Sequence, residues 1–129
     1  ADALSGRITD AATRALLQSA ADVHMNMIRV WGGGRYEADD FYDACDELGL
    51  MTIDAILGWQ YYSDSAAFKE QVYQTARDMI RRDRNHASVL AWEVSLNESW
   101  MPEYFIDSLH QIAHREYPGN QCFTAGCYV

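Results

Sequence analysis

The strongest constraint on this chain is an alternation. Helix-patterned and strand-patterned segments follow one another four times along 129 residues, at a period of roughly 30 residues. Ile8 to Val23 carries the apolar spacing of a helix, with Thr9 or Asp10 as N-cap. Met25 to Trp31 is short and apolar and runs into Gly32-Gly33-Gly34, as a buried strand entering a loop does. Glu37 to Leu48 predicts a second helix, closed by Gly49 where a left-handed residue is wanted. Leu50 to Ile56 predicts a second strand, Ser65 to Arg82 a third helix and Ser88 to Ser95 a third strand. Pro102 to Glu116 then predicts a fourth helix and Cys122 to Val129 a fourth strand. Alternation of this kind yields parallel strands joined by crossover helices. Near-continuous apolar strands belong to sheets covered on both faces.

A complete eight-stranded barrel needs about 250 residues, so four units supply half of one. The expected fold class is therefore α/β, a partial (β/α)8 barrel. The other half is expected elsewhere in a longer protein; pairing of two copies, or an open parallel sheet, are the alternatives, since bare strand edges invite partners. The start, Ala1-Asp2-Ala3-Leu4, has neither an initiator methionine nor a signal pattern, which reads as a chain cut from something longer or processed.

Composition narrows the partners. Hydrophobic residues make up 49% and aromatics 12%, the signature of a folded chain. The formal net charge is −9, and the only basic run is Arg81-Arg82-Asp83-Arg84, which argues against nucleic acid or an anionic membrane surface and favours a neutral ligand. No apolar run approaches the length of a membrane-spanning helix. Gly32-Gly33-Gly34 lacks the spacing of a dinucleotide loop, and no phosphate-loop lysine follows it. Cys45, Cys122 and Cys127 have no metal spacing and read as structural thiols, so no metal and no cofactor is expected.

Ala91-Trp92-Glu93-Val94-Ser95-Leu96-Asn97-Glu98 is an apolar run ending in an amide and a carboxylate. A buried strand that ends so places both polar heads at the mouth of a sheet, where the loops of barrel enzymes converge. The plainer reading is a strand end followed by a helix cap.

Four segments in order carry a resemblance. They are Asn26-Met27-Ile28-Arg29-Val30-Trp31-Gly32-Gly33-Gly34, Phe41-Tyr42-Asp43-Ala44-Cys45-Asp46-Glu47-Leu48-Gly49-Leu50, Arg82-Asp83-Arg84-Asn85-His86-Ala87-Ser88-Val89, and Asn97-Glu98. The series resembles the catalytic barrel of glycoside hydrolase family 2, nearest its β-mannosidase and β-galactosidase branches. The resemblance spans about Arg7 to Glu98. It implies a retaining β-glycosidase in which Glu98 is the acid/base, with the nucleophile Glu on a later strand outside this chain. The segment from Met25 to Trp31 then becomes barrel strand two, and the chain holds strands two to five. The partners implied are a carbohydrate substrate and the remainder of the parent chain. Three departures stand out: Ala87 where the family has Pro, Leu96 before Asn97, and Ile53-Asp54-Ala55 where the mannosidase branch has Trp-Gln-Asp, with Trp59-Gln60 arriving later.

Beside Glu98, the resemblance implies Asn97 as donor to the sugar 2-hydroxyl, a contact that strengthens in the transition state; a turn-forming Asn is the alternative. Arg29, in an apolar strand, must find an anion, either the missing nucleophile or a structural partner such as Asp54 or Glu93. Trp31 and Trp100 offer flat faces for a sugar ring, with core packing as the alternative for Trp31. One or two of Trp59, Tyr61 and Tyr62 could join that platform, whereas Trp92 reads as barrel packing. Asp54 binds either a sugar hydroxyl or an arginine. His86 is expected to hold a loop at the opposite end of the barrel. His24, His110 and His114 read as helix-surface residues, although His110 and His114 stand at i, i+4. Two rival readings remain: a non-catalytic carbohydrate-binding or scaffold half-barrel, and an endo-glycosidase of a related barrel family.

Overall fold

A computed structural model describes residues 8–56, 62–94 and 100–117, and the backbone of 122–124. Eight elements alternate as expected: α1 (Asp10–Asp22), β1 (Met27–Val30), α2 (Asp39–Leu48), β2 (Met51–Ala55), α3 (Ala66–Asp83), β3 (Val89–Glu93), α4 (Glu103–Glu116) and β4 (Cys122–Thr124). The strands are all parallel and lie in the order β1-β2-β3-β4. This sequential order excludes a doubly wound sheet, whose strand order reverses at a switch point.

Local signals account for the ends. Thr9 caps α1, its hydroxyl accepting the Ala12 N–H at 3.2 Å, and Ser65 caps α3 through the Phe68 N–H at 3.3 Å. Gly49 ends α2 at φ 70°, the left-handed cap its position predicts. His24 was expected on a helix surface and instead ends α1 at φ 63°. Its N–H donates to the Ala21 carbonyl and the Met25 N–H to that of Ala20, so a histidine occupies the turn a glycine usually fills.

The helices bury one stripe each. In α2 this is Phe41, Tyr42, Ala44 and Cys45; in α3, Ala76, Met79, Ile80 and Asp83; in α4, Phe105, Ile106, Leu109, Ile112 and Ala113. These spacings are one face of a 3.6-residue period. The stripes close on Trp92, which is fully buried as expected, with its ring edge-on to Tyr117. Cys45 sits in the same core, and burial pushes its thiol up to about 12, as suits a structural thiol.

Alternation along the strands then separates two faces. Ile28 and Val30 pack on the helical core, while Met27 and Arg29 point the other way and stay exposed. Between β2 and β3 the pairing skips Leu90, so Thr52 meets Val89 and Ile53 meets Ala91. Among the described residues helices pack on one face of the sheet; on the other, Met27 and Arg29 of β1 are exposed while Ala55, Ala91 and Glu93 are buried.

Candidate functional site

The face away from the helices carries one charged contact of consequence. Arg29, in register with Ile53 on β2, reaches across to the buried Glu93 at the end of β3. Its Nε donates to Glu93 Oε2 at 2.8 Å and its Nη2 lies 2.7 Å from the same oxygen. Arg29 keeps nearly half its side chain in solvent while the Glu93 carboxylate is almost wholly enclosed. Of the two structural partners weighed for Arg29, the structure brings it Glu93 and not Asp54.

Asp54 takes a different place from the one expected of a sugar contact. It is in register with Val30 and Trp92, on the helix-facing side, and has no exposed surface. Tyr42 and Thr52 hydroxyls face its carboxyl without reaching full hydrogen-bond geometry. Burial, reinforced by the nearby Asp83 charge, pushes this carboxyl up to about 7. Asp83 is itself fully buried and takes a bond at 2.8 Å from Arg82. Asp54 thus belongs to the seam between sheet and helices, because residues one step apart on a strand face opposite sides.

At the rim beyond β1, Trp31 is half exposed. Its ring lies over Gly33, where a Cβ would come within 2.3 Å of the indole, so only glycine admits this arrangement. Trp100, just before α4, is 95% exposed. Tyr62 does not offer a bare ring. Its ring makes edge-type contacts with Phe68 and Phe105, and its hydroxyl lies 2.7 Å from that of Tyr104. Tyr62, Tyr104 and Lys69 converge on Asp64, and these bonds, Tyr104 foremost, hold its carboxyl at about 2. This strap ties the segment before α3 to the first turn of α4, and nothing in the local sequence announces it. Asn97, Glu98, Trp59 and Tyr61 lie outside the described residues.

At the opposite end of the strands, His86 holds the loop before β3. Its Nδ1 lies 2.8 Å from Asp46 Oδ2, while Asp46 Oδ1 accepts the Ser88 N–H at 2.7 Å. The ring stacks on Tyr42 at 5.2 Å. Asp43, Asp46 and His86 bring their ligand atoms within 4.8 Å of one another, but Asp46 already has both oxygens engaged.

Sequential parallel strands, helices on one face, and an Arg–Glu pair on the other toward the carboxyl ends of the strands define part of a (β/α) barrel. The sequence profile of "Glycosyl hydrolases family 2, TIM barrel domain" matches residues 35–116. The chain belongs to that family. It is 42% identical to a beta-mannosidase of Bos taurus over 93 residues, which is 71% of this chain and 11% of the relative. It is 38% identical to a beta-galactosidase of Thermoanaerobacterium thermosulfurigenes over 101 residues, covering 78% and 14%. Among solved structures, the beta-D-mannosidase of Dictyoglomus thermophilum superposes with a TM-score of 0.78 at 27% identity, over 93% of this chain and 16% of that one. The beta-glucuronidase 3 of Bacteroides uniformis gives 0.76 at 26% identity, over 86% and 15%. The chain therefore spans between 11% and 16% of the length of these relatives.

Proposed function

We propose that this chain is the acid/base-bearing part of a retaining β-glycosidase, with β1 to β4 serving as barrel strands two to five. The observation that carries the reading is the ordered set of motifs, ending in Asn97-Glu98, in a chain of this family. The names of the relatives favour a β-mannoside or β-galactoside substrate.

In this reading Glu98 protonates the leaving glycosidic oxygen, then deprotonates the water that releases the sugar. It stands five residues beyond Glu93, where β3 ends. Asn97 donates to the 2-hydroxyl. Trp31 and Trp100 supply aromatic surface at the rim, and Arg29 supplies positive charge on the inner face. The attacking carboxylate comes from a Glu on a later strand, outside this chain, about 5 Å from Glu98 when the barrel is complete. Asp54, facing the helices, takes no part in binding.

The test is Glu98→Ala in the complete enzyme. Turnover of aryl β-mannosides should fall by about 10²- to 10⁴-fold, with azide partly restoring cleavage of substrates that have good leaving groups. An unchanged rate would remove Glu98 from the mechanism.

A further inference from the structure

We infer that His110 and His114, one turn apart on α4, form a binding site for a divalent transition-metal ion. The two side chains rise from one face of the helix, as i, i+4 residues do. Their Nε2 atoms lie 3.0 Å apart, with ring centroids at 4.6 Å and planes inclined by 59°. An ion holding two imidazoles at about 2.0–2.1 Å sets their nitrogens about 2.9 Å apart at a right angle and about 3.3 Å apart at the tetrahedral angle. The observed spacing falls between these values, so an ion can be taken up with no movement of the helix. A hydrogen bond between the two rings has the same spacing; to take up an ion, the donor ring gives its Nε2 proton to solvent and gains one at Nδ1, so that both Nε2 atoms present lone pairs.

The surroundings suit a cation. His114 is exposed and His110 partly so, which leaves an approach from solvent. His114 lies in the last turn of α4, where the helix dipole favours positive charge. Asp107 is exposed one turn before His110 on the same stripe and adds negative charge nearby. Among the described residues no third His, Cys, Asp or Glu atom converges on the pair. Paired imidazole nitrogens select borderline ions, Cu²⁺ above Ni²⁺ and Zn²⁺, over Ca²⁺ or Mg²⁺, which require oxygen ligands. α4 leaves the mouth of the barrel at its N-terminus, so the site lies toward the far end and is independent of the glycosidase reading.

The experiment is calorimetric titration of the complete, tag-free protein with CuCl₂, NiCl₂ and ZnCl₂, alongside His110→Ala, His114→Ala and, as a control at the other cluster, Asp46→Asn. One ion should bind at this site, most tightly for Cu²⁺, with each histidine substitution weakening it more than about tenfold and Asp46→Asn leaving it unchanged. The Cu²⁺ form should show electron-spin couplings from two imidazole nitrogens, lost in either histidine variant. No binding up to about 1 mM ion, binding indifferent to both histidine substitutions, or equal competition by Mg²⁺ would overturn the assignment.

Discussion

Arg29 and Glu93 are unequal partners. The guanidinium is half in water, whereas the carboxylate is almost fully enclosed. Removing the arginine strands a buried charge, and removing the carboxylate leaves a cation that solvent still reaches. Arg29→Met should therefore cost more stability than Glu93→Gln, by about 1–2 kcal/mol, in urea unfolding of the complete protein; the reverse order would mean that Glu93 is held by something other than Arg29. That an arginine in an apolar strand needs an anion was legible in the sequence. Which anion was not, because the partner stands 64 residues away and only strand pairing brings it near.

Elements here begin and end largely by local chemistry, which is why their order could be read before their packing was known. Thr9, Ser65 and Gly49 act at the ends their residue types predict. α1 is the exception, since His24 takes a left-handed turn that costs a side-chain-bearing residue about 1–2 kcal/mol. His24→Gly should raise thermal stability by about 1 kcal/mol, seen as a higher melting temperature without change in activity. A fall would show that the imidazole makes a contact worth more than the strain. The Tyr62–Asp64–Lys69–Tyr104 strap escaped sequence reading for a different reason. Its members come from α3, α4 and the segment before α3, and no periodicity links them.

Across the whole molecule the buried carboxyls Asp54 and Asp83 lie in the seam where β2 meets the helices. An Asp carboxyl held at about 7 when folded binds its proton more tightly than in the unfolded chain, where the value is near 4. Its stabilising contribution is thus complete below about pH 4 and is lost as pH rises through about 7. Asp54→Asn, neutral throughout, should flatten the fall in stability across that window by about 1.4 kcal/mol for each pH unit. An unaltered slope in denaturation curves would assign the pH dependence to other groups. Leu16, Val23, Met25 and Met27 leave an apolar surface along α1 and β1, and the attacking carboxylate of the proposed mechanism lies outside the chain. The purified 129-residue chain should therefore show no measurable turnover of aryl β-glycosides; robust turnover would mean that both carboxylates lie within it.

By itself the sequence determined the alternation of elements, the parallel sheet, the buried stripes and the resemblance to the family, because each depends on periodicity or on residues close together in the chain. Tertiary structure alone decided which side of the sheet each polar residue faces. One step along β2 separates Ile53, in register with Arg29 on the inner face, from Asp54, which lies in the helical seam. The same dependence on rotamer and packing turns His110 and His114 toward each other, a convergence that their spacing permits but does not compel.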